Sequence, residues 1–365
     1  MSFFNRFVGI RGAAQSASPQ TMPRYAADRV EWVDIAKGIC IILVVMMHTT
    51  LGVEADMGQE GWMHLFVAFA APFRMPDFFL LSGLFLAKAI SRDWRGFADR
   101  RILHFAYFYL LWLVITCAVK CTLEGYSISE SLTHMVTGLY EPFSTLWFIY
   151  MLAIFSVVIK LTARVPVPLM FAAAVGLRMA GIETGWLVID QFAALFVFFY
   201  AGYAFADLAF GLARFSQRRW IQVVAIVVLW ALANAALVAS GWSQVAIISL
   251  VLGFAGCAAI VIVSSLIKDS SIGRALLYIG KHSIVIYLAF FIPMAAGRII
   301  LVKSGVPLDP GTISLIVLIG AVVAPLIGHL LIRKTPLNFV FERPAWARID
   351  PPKHAQTRYV MTPAE

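Results

Sequence analysis

The chain has 365 residues, 61% of them hydrophobic and 13% charged, with a mean hydropathy of +0.84. Soluble domains carry ~45–50% apolar residues, so composition excludes an ordinary soluble globule. The net charge of +9 does not indicate a nucleic-acid binder, because the basic residues sit in short segments between apolar runs, where membrane orientation accounts for them.

Residues 1–28 mix Ser, Pro, Ala and scattered Arg without a signal-peptide apolar core, and read as a flexible cytoplasmic tail. The first span follows at 31–53, EWVDIAKGICIILVVMMHTTLGV. Roughly 20 apolar residues at ~1.5 Å each cross a bilayer. Yet the run holds Asp34, Lys37 and His48. At about 100° per residue, Lys37 falls ~60° and His48 ~40° from Asp34, so one face is polar. A charge facing lipid costs at least ~2.5 kcal/mol, which turns that face toward a bundle interior or a wet cavity. His48 is the candidate for chemistry, because imidazole exchanges a proton near neutral pH. Asp34 and Lys37 lie about 15–20 Å away along the helix and are expected to pair locally at the inner mouth.

A loop without basic residues, 54–62, leads to a second span at 63–87 containing APFRMPDFFLLSGLF (71–85). Arg74 and Asp77 are neighbours on a helix surface, and Pro76 between them removes a backbone donor and kinks the run. Two readings stay open: an ion pair that locks helix packing, or a polar cavity shared with His48. The segment 88–101, with Lys88, Arg92, Arg95, Arg100 and Arg101, carries a strong cytoplasmic signal. Within DRRILH (99–104), Arg100, Arg101 and His104 are either orientation anchors or a phosphate site at a helix N-terminus.

A third span covers 102–122, and the acidic loop 123–143 is expected outside. Later spans lie near 144–163, 166–181, 187–209, 219–240, 244–266, 276–298 and 312–332, which makes ten. Trp147 and Tyr150 fall where an outer aromatic belt would sit, Lys281 and His282 open the ninth span, and Arg178, Asp190 and Asp207 read as helix-end charges. Segments on the cytoplasmic side hold 22 of the 29 basic residues, and the outer loops only Lys303 and Arg298. Both termini are therefore expected in the cytoplasm. The fold class is all-α, a polytopic bundle of about ten helices, with a membrane domain at 29–333 and a cytoplasmic C-terminal tail at 334–365. The four cysteines sit in or at the ends of spans without zinc-like spacing to histidine, so no metal is expected.

Four blocks, RVEWVDIAKGICIILVVMMH (29–48), FRMPDFFLLSG (73–83), LWFIYML (146–152) and YIGKHSIVIYL (278–288), together resemble the membrane-bound acyltransferase 3 family, and within it the fucose 4-O-acetylase-like branch. The resemblance implies a protein of the bacterial inner membrane. It implies transfer of an acyl group, usually acetyl from acetyl-CoA, to a hydroxyl of a cell-surface glycan or lipid-linked sugar. It implies a catalytic first-span histidine, here His48, and an inner basic motif that meets the donor, here Arg101 and His104. The family often has a second arginine where His104 stands, and commonly an apolar residue at Asp77. Ala289 and Phe290 replace a histidine often seen after the ninth-span IYL.

On this reading acyl-CoA docks near Arg100 and Arg101, His48 is general base or nucleophile, and Arg74 stabilises the oxyanion, with Asp77 beside it. Two alternatives belong to other classes. A transporter of a sugar or organic acid would line its path with the polar face of the first span. A structural subunit would need Arg74, Asp77 and His48 for folding only.

Overall fold

The computed structural model describes residues 30–305 and 307–349. The expected N-terminal tail, 1–28, and the last part of the C-terminal tail lie outside the described residues. Every element is helical, in the order α1 (Glu31–Met57), α2 (Met63–Ala70), α3 (Arg74–Gly83), α4 (Ala87–Ile90), α5 (Trp94–Ala98), α6 (His104–Glu124), α7 (Ile128–Thr137), α8 (Trp147–Leu161) and α9 (Val167–Met179). There follow α10 (Leu187–Ala204), α11 (Ala206–Arg218), α12 (Trp220–Ala239), α13 (Ala246–Leu266), α14 (Ser271–Lys281), α15 (Ser283–Ala289), α16 (Phe291–Lys303) and α17 (Pro310–Ile332).

Among the described residues seven helical runs are long and apolar enough to cross a membrane, and two bent pairs, α2–α3 and α15–α16, bring the number to nine. The expected fifth span is α9, whose 13 residues are short for a crossing. In hydrocarbon every backbone polar group needs an internal partner, which is why the chain solves the problem with helices throughout.

α1 is the centre of the bundle and packs against α3, α13, α14 and α17. Its approach to α14 is close enough to require glycine on both sides. A Cβ on Gly38 would collide with the Leu276 carbonyl, and one on Gly280 with the Asp34 carbonyl. Lys37 and Asp34 pair at 3.5 Å near the start of α1, the local pairing expected of them.

Between α2 and α3 the axis turns by 47°. Pro76 has no N–H to return to residue 72, and the turn at 71–73 tightens so that Phe73 N–H bonds the Ala70 carbonyl. That leaves the Phe69 carbonyl without its helical donor, and the buried Asn234 amide of α12 supplies one at 2.9 Å. The ninth span departs further from a single helix. It is three pieces, broken at His282 and at Phe290, with a 53° bend at the second break.

The third span also differs from expectation. Helix begins at Trp94, capped by the Asp93 carboxylate on Gly96 N–H, and runs through a π-helical turn at Asp99–Leu103 into α6. Arg100 and Arg101 therefore sit inside a helical run, and the free N-terminal amides expected beside them are not there.

The described chain after α17, up to residue 349, does not leave the bundle. Residues 336–349 fold back against α5 and α6. Tyr107 Oη donates to the Phe339 carbonyl at 2.9 Å, and Trp112 Nε1 donates to the Val340 carbonyl at 3.0 Å.

Candidate active site

A cavity of about 320 Å³ opens beside His48 in the middle of the bundle. Its walls come from α1 (Val44, Met47, His48), the α2–α3 bend (Ala71, Pro72, Arg74) and the start of α8 (Thr145, Trp147, Phe148). Arg178 of α9, Gln191 of α10 and Ser249 of α13 add polar groups, and Tyr287 and Phe290 come from the second bend. Both interrupted spans thus face the same space, as does a third irregularity. Ser144 has φ 53°, a left-handed backbone rare for a residue with a Cβ, and it sets up the adjoining Thr145, whose carbonyl accepts from Tyr287 Oη at 2.7 Å. Non-helical backbone inside a membrane bundle is tolerated where it is buried in protein or lines a cavity, and three instances converge here.

The imidazole of His48 lies against the Phe290 ring at 5.5 Å between centroids, and Arg74 is the charged group acting on it. No Asp or Glu is among the described residues lining the cavity. His48 thus has no carboxylate in the cavity to orient it, and the polar partners on offer are cationic or neutral.

Arg74 occupies the first position of α3, and its Nε and Nη1 are buried without a hydrogen-bond partner among the described residues. The ion pair with Asp77 does not form. Asp77 is 1% exposed and absent from the cavity wall, and its carboxyl takes a hydrogen bond from Cys257 of α13. The three-residue spacing places the two residues on adjacent rows, but Arg74 turns into the cavity and Asp77 turns back into the core.

Two cavity residues were read from sequence in other roles. Arg178, expected to be a helix-end charge, does stand in the last turn of α9, but its Nη2 reaches Ser249 Oγ at 2.7 Å across the cavity wall. Trp147, expected in an aromatic belt, lines the cavity, and Tyr150 packs on Tyr109. Each lies at the apolar end of a helix, where sequence periodicity does not distinguish an inward from an outward face.

A second cavity, about 530 Å³, lies at the end of the bundle that carries the basic segment. It gathers Lys88, Arg92, Arg100, Arg101 and His104, and adds Arg343 and Arg348 from the folded-back segment. Its acids are Asp99 and Glu342, and Asp99 is already engaged by Arg343 at 2.7 Å. The residue balance leaves a strongly cationic pocket, fit for phosphate oxygens. Lys281 and His282 are not part of it; His282 Nδ1 bonds the Tyr278 carbonyl at 2.8 Å.

The two cavities share the second span. Phe78 lines the first and Phe85, just past the end of α3, the second, seven residues further along the chain. The acyltransferase domain profile matches residues 30–330, nearly the whole described bundle. The chain belongs to the acyltransferase 3 family. Among curated proteins this family member is similar to the inner membrane protein YcfT of Escherichia coli (strain K12), at 28% identity over 181 residues. The alignment covers 42% of this chain and 50% of YcfT, so the similarity spans about half of that relative. No solved structure matches the chain. Family membership and the apolar helices together make this chain a multi-pass membrane protein.

Proposed function

We propose that the protein is an O-acyltransferase of the bacterial inner membrane, moving an acyl group, in the first instance acetyl, from acyl-CoA to a hydroxyl of a cell-surface glycan or lipid-linked sugar. The observation that carries this is that His48 and Arg74 share one cavity, with a cationic pocket further along the same span. Both termini and the cationic pocket are assigned to the cytoplasmic side, in keeping with the distribution of Lys and Arg.

The donor's phosphates are held by Arg100, Arg101 and their neighbours, while its thioester reaches toward His48. The cavities share no lining residue, so the donor arm has to displace side chains between Phe78 and Phe85 on its way. His48 takes the proton from the acceptor hydroxyl as its oxygen attacks the thioester carbonyl. Arg74, with Nε and Nη1 unpartnered, offers two N–H groups to the oxyanion that forms. The C–S bond then breaks, and the thiolate leaves with the proton from the imidazolium. A covalent route uses the same geometry: the imidazole attacks the thioester carbonyl, the C–S bond breaks and CoA leaves with the ring proton. The hydroxyl then cleaves the acyl-imidazole, its proton returning to the freed ring nitrogen. Asp77, facing Cys257, touches neither reactant and supports the start of α3 from behind.

Membranes containing the protein, incubated with radiolabelled acetyl-CoA, are expected to label a carbohydrate fraction in a His48-dependent manner. Label that accumulates on the protein in the absence of acceptor marks the covalent route. Uptake of labelled sugar without any acyl transfer would establish the carrier alternative instead.

A further inference from the structure

The charges in the His48 cavity do not balance. It holds two guanidinium groups, Arg74 and Arg178, and no carboxylate among the described lining residues. Both cations are only partly satisfied. Among the described residues Arg74 Nε and Nη1 have no partner, and Arg178 Nε has none either, while Arg178 Nη2 is committed to Ser249 Oγ at 2.7 Å. Both side chains are half-buried, and a guanidinium withdrawn from water without a counter-charge is costly inside a membrane bundle, where such groups ordinarily pair. The oxyanion of acyl transfer exists only in passing, and one cation beside the reacting carbonyl is enough for it. The donor's phosphates belong to the other pocket. Arg178 therefore lacks a lasting negative partner.

Its surroundings fit an anionic ligand group. Ser249 holds the guanidinium from α13, and the neutral Gln191 of α10 offers an amide in the same wall. The N-terminal turn of α3 opens into the space, with Arg74, Met75 and Pro76 all on the wall, so the helix dipole also favours negative charge. A cavity of about 320 Å³ falls at the small end of ligand sites, the size for one sugar ring and its substituents.

We propose that the acceptor sugar carries a permanent negative charge, a carboxylate or a phosphate, and that Arg178 binds it while the hydroxyl to be acylated is presented to His48. The word acceptor rests on the acyl-transfer reading above; the anion site itself does not.

The test uses the purified full-length protein in detergent, titrated with glucose, glucuronate and glucose 1-phosphate while its thermal midpoint is followed. Glucuronate or glucose 1-phosphate is expected to bind at least about ten-fold more tightly than glucose, because a charge-assisted hydrogen bond to a guanidinium is stronger than a neutral one. Whichever anion responds identifies the source of the charge. Arg178→Gln is expected to bring the anion down to the level of glucose. Gln191→Glu, which supplies a carboxylate from within the wall, is expected to do the same and stands in if Arg178→Gln does not fold. An anion response surviving in both variants, equal responses to all three sugars, or no response at millimolar concentrations overturns the proposal. Acetyl-CoA turnover in the same preparations reports separately on acyl transfer: anion binding without turnover leaves this site standing and removes the enzyme reading, and turnover without anion selectivity does the reverse.

Discussion

Arg343 and Asp99 meet at 2.7 Å with both side chains nearly excluded from solvent, joining the segment after α17 to the π-helical turn beside Arg100 and Arg101. Arg343 Nη1 also donates to the Asp99 carbonyl at 2.7 Å, and the other carboxylate oxygen of Asp99 accepts from Ile349 N–H at 2.8 Å. The contact fixes the floor of the cationic pocket. Removing one member of such a pair strands a buried charge and costs about 3–5 kcal/mol, whereas replacing both with apolar groups costs far less. Arg343→Ala is thus expected to lower the thermal midpoint sharply in detergent, and Arg343→Met combined with Asp99→Leu to recover most of the loss. Equal midpoints for the single and double variants would show that the pair does not hold the segment.

His48→Gln keeps the volume and polarity of the side chain and removes its proton chemistry. Acyl transfer to glycan is expected to fall by about 10²–10⁴-fold, the range for loss of a general base, while protein level and thermal midpoint stay at the wild-type value. A variant that still transfers at the wild-type rate would end the catalytic role of this imidazole.

Arg74 and Arg101 are both half-buried, the proposed reading gives them different tasks, and kinetics should separate them. Arg74→Gln is expected to lower kcat by about 10²–10³-fold with little change in the KM for acetyl-CoA, as when one oxyanion donor is lost. Arg101→Gln is expected to raise that KM, and wild-type donor binding to weaken with added salt, because screening acts on phosphate contacts at the open end of the bundle. A rise in donor KM for Arg74→Gln with unchanged kcat would exchange the two assignments.

Gly280 lies against the Asp34 carbonyl at the α1–α14 crossing, with no room for a Cβ. Gly280→Val forces the two backbones apart, and overpacking of this kind costs about 1–3 kcal/mol. Since α1 carries His48, the variant is expected to lose both thermal stability and transfer activity, measured together on the purified protein. Retention of both would mean that α1 and α14 adjust independently of the cavity.

Much of this protein is legible in its chain alone. Apolar runs of spanning length dictate helices, because lipid offers the backbone no other partner, and the charges of α1 had to face inward for the same reason. The clustering of Arg100, Arg101 and His104 at one end, and the pairing of Asp34 with Lys37, follow from spacing of a few residues on one helix. What spacing does not encode is rotation and bending. It does not show that α2–α3 and α15–α16 break at the level of His48, or that Arg74 turns in while Asp77 turns back. Nor does it show that Arg178 and Trp147 share the cavity with His48, or that Arg343 returns to Asp99. Those are contacts between elements far apart in sequence. They were decided by how the helices pack, since each apolar helix looks alike on every side until a neighbour is placed against it.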